Sequence, residues 1–174
     1  MIPKPGLTRR EREVTDITKI IEILEKENII HIGLVDGDEP YVVPMNYGFT
    51  MKEDNLTLYL HGATEGKKMD LIKTNPKIFF SIESDVTAFS GDVACQYGTS
   101  YYSIMGKGVA HILEDVEDKK SGLSLFMKSQ TGLDFEFNDR MVSAVAVIRI
   151  DVTEYTAKHR PLPIQLQKQL DNNT

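Results

Sequence analysis

The stretch His61-Gly62-Ala63-Thr64-Glu65-Gly66-Lys67-Lys68 gathers the parts of an anion site into a few consecutive residues. Gly62, Ala63 and Gly66 are small enough to let an anion approach the backbone. Thr64 offers a hydroxyl, the start of a following helix offers free N–H groups, and Lys67 and Lys68 offer charge-assisted hydrogen bonds. Together they suit a phosphate group. The same pattern also fits a glycine-rich strand-to-helix turn with solvated lysines. It is not a Walker loop, because Gly62 and Gly66 are too close and Lys67 is followed by another lysine. His61 stands where a strand ends. With an ordinary imidazole pKa near about 6.5 it can donate a proton or a hydrogen bond, or serve as a structural histidine.

A second feature is Val42-Val43-Pro44-Met45-Asn46-Tyr47, in which proline interrupts an otherwise central-looking strand. Proline cannot donate to a ladder, so this strand lies at an edge or opens a gap. Backbone exposed there can hydrogen-bond the polar rim of a planar ring, and a plain edge strand with Asn46 in a bulge fits equally. His31, His111 and His159 have no i,i+4 partner and no cysteine cluster, so no metal site is expected. Haem held through one axial histidine is left open. Cys95 lies among Val93, Ala94 and Gln96 without the cations that activate a thiol, and is expected to be inert. Tyr97, Tyr101 and Tyr102 form either an aromatic wall or ordinary strand packing.

The elements that position these residues follow from periodicity. Thr15-Asp16 precedes Ile17, Ile20, Ile21, Ile23 and Leu24, which predicts an amphipathic helix. Three segments, IIHIGLV, YVVPMNYGF and LTLYLHG, then read as an antiparallel meander, with Asp36-Gly37 and Asp54-Asn55 as its turns. A compact helix containing Met69, Leu71 and Ile72 ends at Asn75-Pro76, and IFFSI returns to strand. Tyr101 to Leu113 predicts a long bent strand in which Gly106 and Gly108 mark a bulge or a close approach. Asp115 to Gln130 predicts a helix with Leu123, Leu125 and Phe126 inside, and SAVAVIRIDV a final strand. The tail from Leu162 onward reads as polar and loose. Too few strands for a sandwich and no βαβ alternation leave a small closed or split barrel.

Composition bounds the function. The 174 residues suit one domain spanning 1–174, and 41% hydrophobic with 26% charged residues is ordinary for a folded protein. A formal net charge of −6 opposes a nucleic-acid-coating role. One cysteine allows no internal disulfide, the N-terminus has no signal-peptide apolar stretch, and no run is long enough to span a bilayer. A cytoplasmic protein without membrane or nucleic-acid partners is expected.

Taken in order, Arg10-Glu11-Arg12-Glu13-Val14-Thr15-Asp16, the Tyr41 to Tyr47 strand, Leu58 to Lys68, and Tyr101-Tyr102-Ser103-Ile104-Met105-Gly106-Lys107-Gly108 resemble the nitroimidazole-resistance branch of the pyridoxamine-phosphate oxidase-like proteins. The resemblance implies a mainly β fold with inserted helices, a six-stranded antiparallel split β-barrel. It also implies a two-fold homodimer with FMN in the clefts between subunits. Val43, Pro44, Met45, Asn46 and Tyr47 would then run beside the flavin ring, while His61, Gly62, Ala63, Thr64, Gly66, Lys67 and Lys68 would hold the ribityl phosphate. Tyr102 and Ser103 would reach in from the partner subunit, and His61, near the flavin, would be the catalytic residue. Many relatives carry arginine in the phosphate-binding and Tyr-Ser segments where this chain has Lys67, Lys68 and Tyr102, a point charge in place of a planar fork. Ala157 stands before Lys158 where the family commonly has glycine.

The expected function is FMN-dependent reduction of a small nitroaromatic or similar acceptor. The alternative is a flavin- or haem-binding carrier or sensor without turnover on the same barrel. Oxidation of pyridoxamine phosphate itself ranks third, because the C-terminal part offers only Arg140, Arg149 and Arg160 for a substrate phosphate. No Gly-x-Gly-x-x-Gly fingerprint identifies a nicotinamide donor.

Overall fold

The computed structural model describes residues 9–164. In chain order it contains β1 (Glu13–Val14), α1 (Ile17–Lys26), β2 (Ile29–Asp36), β3 (Glu39–Asn46), β4 (Gly48–Lys52) and β5 (Asn55–Gly62). There follow α2 (Lys67–Thr74), β6 (Lys77–Phe89), β7 (Gly98–Ile112), α3 (Val116–Thr131), α4 (Asp139–Ser143) and β8 (Ala146–Arg160).

Side-chain caps start the helices where expected. The Asp16 carboxylate accepts from Thr18 N at 2.9 Å, and Ile20, Ile23 and Leu24 then turn α1 onto the core. Asp115 accepts from Glu117 N and Asp118 N, and α3 stops at Gly132, whose φ of +72° is the left-handed cap that glycine adopts without strain.

The strands form one antiparallel sheet in the order β3-β2-β6-β7-β8-β5-β4, with β1 added to β8. One segment carries both ends of that path: Glu39–Asn46 pairs with β2, and Gly48–Lys52 pairs with β5. The sheet therefore curls around Ile30, Ile32, Leu58, Leu60, Phe80, Ile82, Ile104, Ile148 and Ile150. Each such side chain, fully buried, contributes about 1.5–3 kcal/mol. At the corner between β3 and β4, Tyr47 is 1% exposed and its hydroxyl donates to Leu24 O at 2.8 Å. α3 pins the same corner: Gln130 Nε2 donates to Tyr47 O, and Phe49 N donates to Ser129 Oγ. Gly48 is required there, because a Cβ would come within 2.5 Å of the Phe126 Cα.

Several expectations are corrected. The sheet has eight strands where six are expected, since the meander's second strand breaks at Tyr47 into β3 and β4 and since the two-residue β1 adds to β8. The three-stranded meander is instead two hairpins at opposite ends of the sheet path. The second turn falls on Glu53-Asp54, with Glu53 at a φ of 55°, one residue earlier than Asp54-Asn55. The last strand begins at Ala146, after a short helix that periodicity does not reveal, and runs to Arg160. Of the tail read as loose, residues 165–174 lie outside the described residues. Among the described residues no helix is long and apolar enough to cross a membrane.

Candidate functional site

β5 ends at Gly62, residues 63–66 turn across the surface, and α2 begins at Lys67. Gly66 caps α2 with a φ of +119°, a conformation that favours glycine, and no side chain accepts from the first N–H groups. α1, α3 and α4 are all capped by Asp or Asn side chains. Met69 N and Asp70 N both donate to Gly66 O, which leaves the preceding N–H groups open at the positive end of the helix. The Lys68 side chain folds back over Gly62. A Cβ on Gly62 would meet Lys68 Cε at 3.2 Å, Lys68 Nζ at 3.3 Å and Met45 Cε at 3.8 Å. β5, α2 and β3 thus converge on one spot.

The two lysines part company. Lys67 Nζ lies 2.6 Å from Asp36 Oδ2 and 5.0 Å above the Tyr41 ring, so it is tied to the β2–β3 hairpin. Its hydrogen bond to Asp36 raises its pKa. Lys68 is the ammonium that faces the cradle.

His61 points to the other face of β5 from Gly62 and lies beneath α3. Its ring meets Phe126 edge-on, centroids 4.5 Å apart and planes at 66°. Its Nδ1 is buried without a hydrogen-bond partner among the described residues. Burial, with the charge of Lys68 second, lowers its pKa. At neutral pH the imidazole is uncharged, suited to donating or accepting a hydrogen bond rather than to storing a proton.

The β3 residues split by strand alternation. Val43 and Met45 pack on the core, while Pro44 and Asn46 face outward. Asn46 Nδ2 donates to Asn28 O, which secures the strand end. The Tyr47 side chain turns away into the core, and burial raises its phenol. Ala63, Thr64 and Gly66 are exposed beside the helix start.

Tyr102 and Ser103 are not brought to the cradle within one chain. Gly62 pairs with Ala146 and Tyr102 with His159, near opposite ends of β8. That is roughly 40 Å of strand at about 3.3 Å per residue. Tyr102 stacks on His159, centroids 3.8 Å apart and planes 5° apart, with Lys19 over its ring. Ser103 is buried. Two cavities, of about 330 and 540 Å³, also lie away from the cradle.

Sequence reasoning missed Asp36 and Phe126. Asp36 was legible only as a turn residue, and its approach to Lys67 depends on the hairpin folding back on α2. Phe126 was assigned to the core side of its helix, but nothing local indicates that it covers His61. Among the described residues no group of His, Cys, Asp and Glu could hold a metal ion.

The family model described as pyridoxamine 5′-phosphate oxidase matches residues 16–159. Among solved structures, the chain is similar to a candidate 5-nitroimidazole antibiotic resistance protein from Bacteroides thetaiotaomicron, with 28% identity and a TM-score of 0.72. The match covers 84% of this chain and 86% of that one. A flavocytochrome from Azotobacter vinelandii shares the fold at 18% identity and a TM-score of 0.74, covering 92% of this chain and 78% of its own. An FAD- and haem-binding protein from Mycobacterium smegmatis does so at 12% identity and 0.74, covering 94% and 80%. No curated protein matches the chain.

Proposed function

The chain belongs to the pyridoxamine 5′-phosphate oxidase family, and on that footing we propose that it is an FMN-binding reductase of small nitroaromatic or similar acceptors. The observation that carries the reading is the uncapped start of α2 with Lys68 laid across Gly62. Open N–H groups, a positive helix end and one ammonium fit a terminal phosphate dianion. A single terminal phosphate is what distinguishes FMN from FAD, so the cradle favours FMN.

Bound FMN would supply the two-electron chemistry, which no side chain of the site can perform. Lys68, the α2 N–H groups and Thr64 would hold the phosphate. Pro44 and Asn46, on the outward side of β3, would be the residues of that strand offered to the flavin, and the neutral His61 would offer the acceptor a hydrogen bond.

A homodimer completes the site. The outer face of β3, β2, β6 and β7 exposes Val42 (61%), Phe79 (49%) and Met105 (40%) across neighbouring strands, an apolar face of the kind that marks an interface. An isologous pairing through it lets the partner's Tyr102–Ser103 end approach the cradle, which one chain cannot do.

Titration with FMN and FAD, followed by quenching of flavin fluorescence, tests the proposal. Saturable binding that prefers FMN and weakens in Lys68→Ala is the expected result. Tighter FAD binding, or FMN binding indifferent to Lys68, would remove it. The neighbours that carry haem make haem binding the second reading, and a Soret band on haem addition, lost in His61→Ala, would favour it.

A further inference from the structure

β8 has a free stretch on the side away from β7. β5 pairs with it as far as Asp151, β1 resumes at Ala157, and no strand of the described residues covers Val152 to Thr156. The register shift at Lys107/Gly108 places an extra residue, Thr153, in this stretch, and its hydroxyl donates back to Lys107 O. Past the bulge β8 stays paired with β7 through Glu154, Tyr155 and Thr156, so only its other edge is open. A cavity of about 330 Å³ fills the gap, within the range of small-ligand sites.

The walls of this cavity define what it takes. Ile17, Ile20 and Ala157 make an apolar floor, and the unpaired β8 edge presents main-chain donors and acceptors at strand spacing. Asp54 and Tyr155 also line it, the carboxylate near enough to act on the phenol, and neither makes a side-chain hydrogen bond among the described residues. The second carboxylate of the lining, Glu154, is already paired with Lys107 at 3.0 Å. Among the described residues no Lys, Arg or His contributes to the lining, so these walls offer an anion no counter-charge. Burial and then the charge of Asp54 raise the Tyr155 phenol, so this hydroxyl keeps its proton and can both donate and accept.

From the ladder gap and its charge we infer a second small-molecule site, specific for a compound that joins an ammonium to an amide and a short aliphatic group. The amide pairs with the β8 edge as a strand fragment would, the ammonium lies between Asp54 and Tyr155, and the aliphatic group rests on Ile17 and Ile20. The phosphate cradle is at the other end of β5, so the two sites bind independently.

Calorimetric titration of the full chain with leucinamide, with and without saturating FMN, is the test. Leucinamide should bind one site per chain with the same affinity in both conditions. N-acetylleucinamide, which lacks the charge, should bind about threefold or more weakly, as an exposed ion pair predicts. Leucine, which replaces the amide by a carboxylate, should not saturate. Thr15→Trp, at an exposed position on the lining outside any helix or strand, should abolish leucinamide binding and leave FMN affinity intact. Asp54→Asn, on an exposed turn, should erase the preference for leucinamide over its acetyl derivative. The site is refuted by failure of leucinamide to saturate, by equal binding of leucine, or by unaltered selectivity in Asp54→Asn.

Discussion

Lys67 Nζ sits 2.6 Å from Asp36 Oδ2, so of two adjacent lysines only Lys68 is left facing the Gly62 cradle. The pair therefore has unequal roles. Lys68→Ala removes a charge-assisted contact to phosphate worth about 1.5–3 kcal/mol and should weaken FMN binding by at least about tenfold. Lys67→Ala breaks an ion pair that solvent screens and should change FMN affinity by less than about fivefold. Fluorescence titration of both variants reads the difference. Equal losses would mean that Lys67 leaves Asp36 for the phosphate.

The exposed sheet face makes the second prediction. Phe79 alternates with Ile78 and Phe80, both buried, so its ring is directed outward beside Gly33 and Lys107. Phe79→Glu places a charge on that face without touching the core. Multi-angle light scattering should show a dimer for the natural chain and a monomer for the variant, with FMN affinity falling alongside. A monomeric natural chain that binds FMN tightly would overturn the shared cleft.

Tyr47 supplies a third. It was read from sequence as a flavin neighbour, yet its hydroxyl is buried against Leu24 O. Tyr47→Phe deletes that bond and leaves a carbonyl short of a partner, at a cost of about 1–3 kcal/mol in unfolding free energy. Denaturant unfolding should report this loss while FMN affinity stays within about twofold. A large loss of flavin binding with unchanged stability would return the tyrosine ring to the site.

How much could be read in advance divides along local and non-local lines. α1 and α3 were legible because Asp16 and Asp115 are caps written in sequence and the apolar positions follow a helical period. The turn from β5 into α2, where the phosphate is proposed to sit, was legible because Gly62, Gly66 and the helix start lie close together in the sequence. The break of one strand into β3 and β4 was not, because Tyr47 and Phe49 take their places from contacts with α1 and α3, between residues 23 and 80 positions apart. The same applies to Lys67 and Lys68. Adjacent residues at a helix start look equivalent until the hairpin carrying Asp36 selects one of them. Expecting eight strands would have required seeing that two-residue β1 finds β8, a pairing with no local signal.

His61 joins a pH dependence of stability to the role in turnover proposed for it. Its folded pKa lies below the ordinary value, from burial first and Lys68 second, so the unfolded chain binds the proton more readily than the folded one. Its contribution to stability is therefore full above about pH 6.5 and declines as the pH falls through that value toward the lowered one. His159 is shifted the same way by burial and Lys19, and contributes a parallel decline. Melting temperatures between pH 8 and pH 5 should fall for the natural chain and fall less steeply for His61→Gln and for His159→Gln. The two variants separate in function. His61→Gln, which keeps a hydrogen-bonding group but cannot be protonated, should bind FMN normally and retain part of the acceptor reduction, whereas His61→Ala should bind FMN and lose about tenfold or more of kcat. His159→Gln, which acts only through its stack on Tyr102, should lower turnover less than His61→Ala does. Full turnover in His61→Ala with every acceptor tried would reduce the histidine to a packing partner of Phe126, and the pH dependence would then be a property of the fold alone.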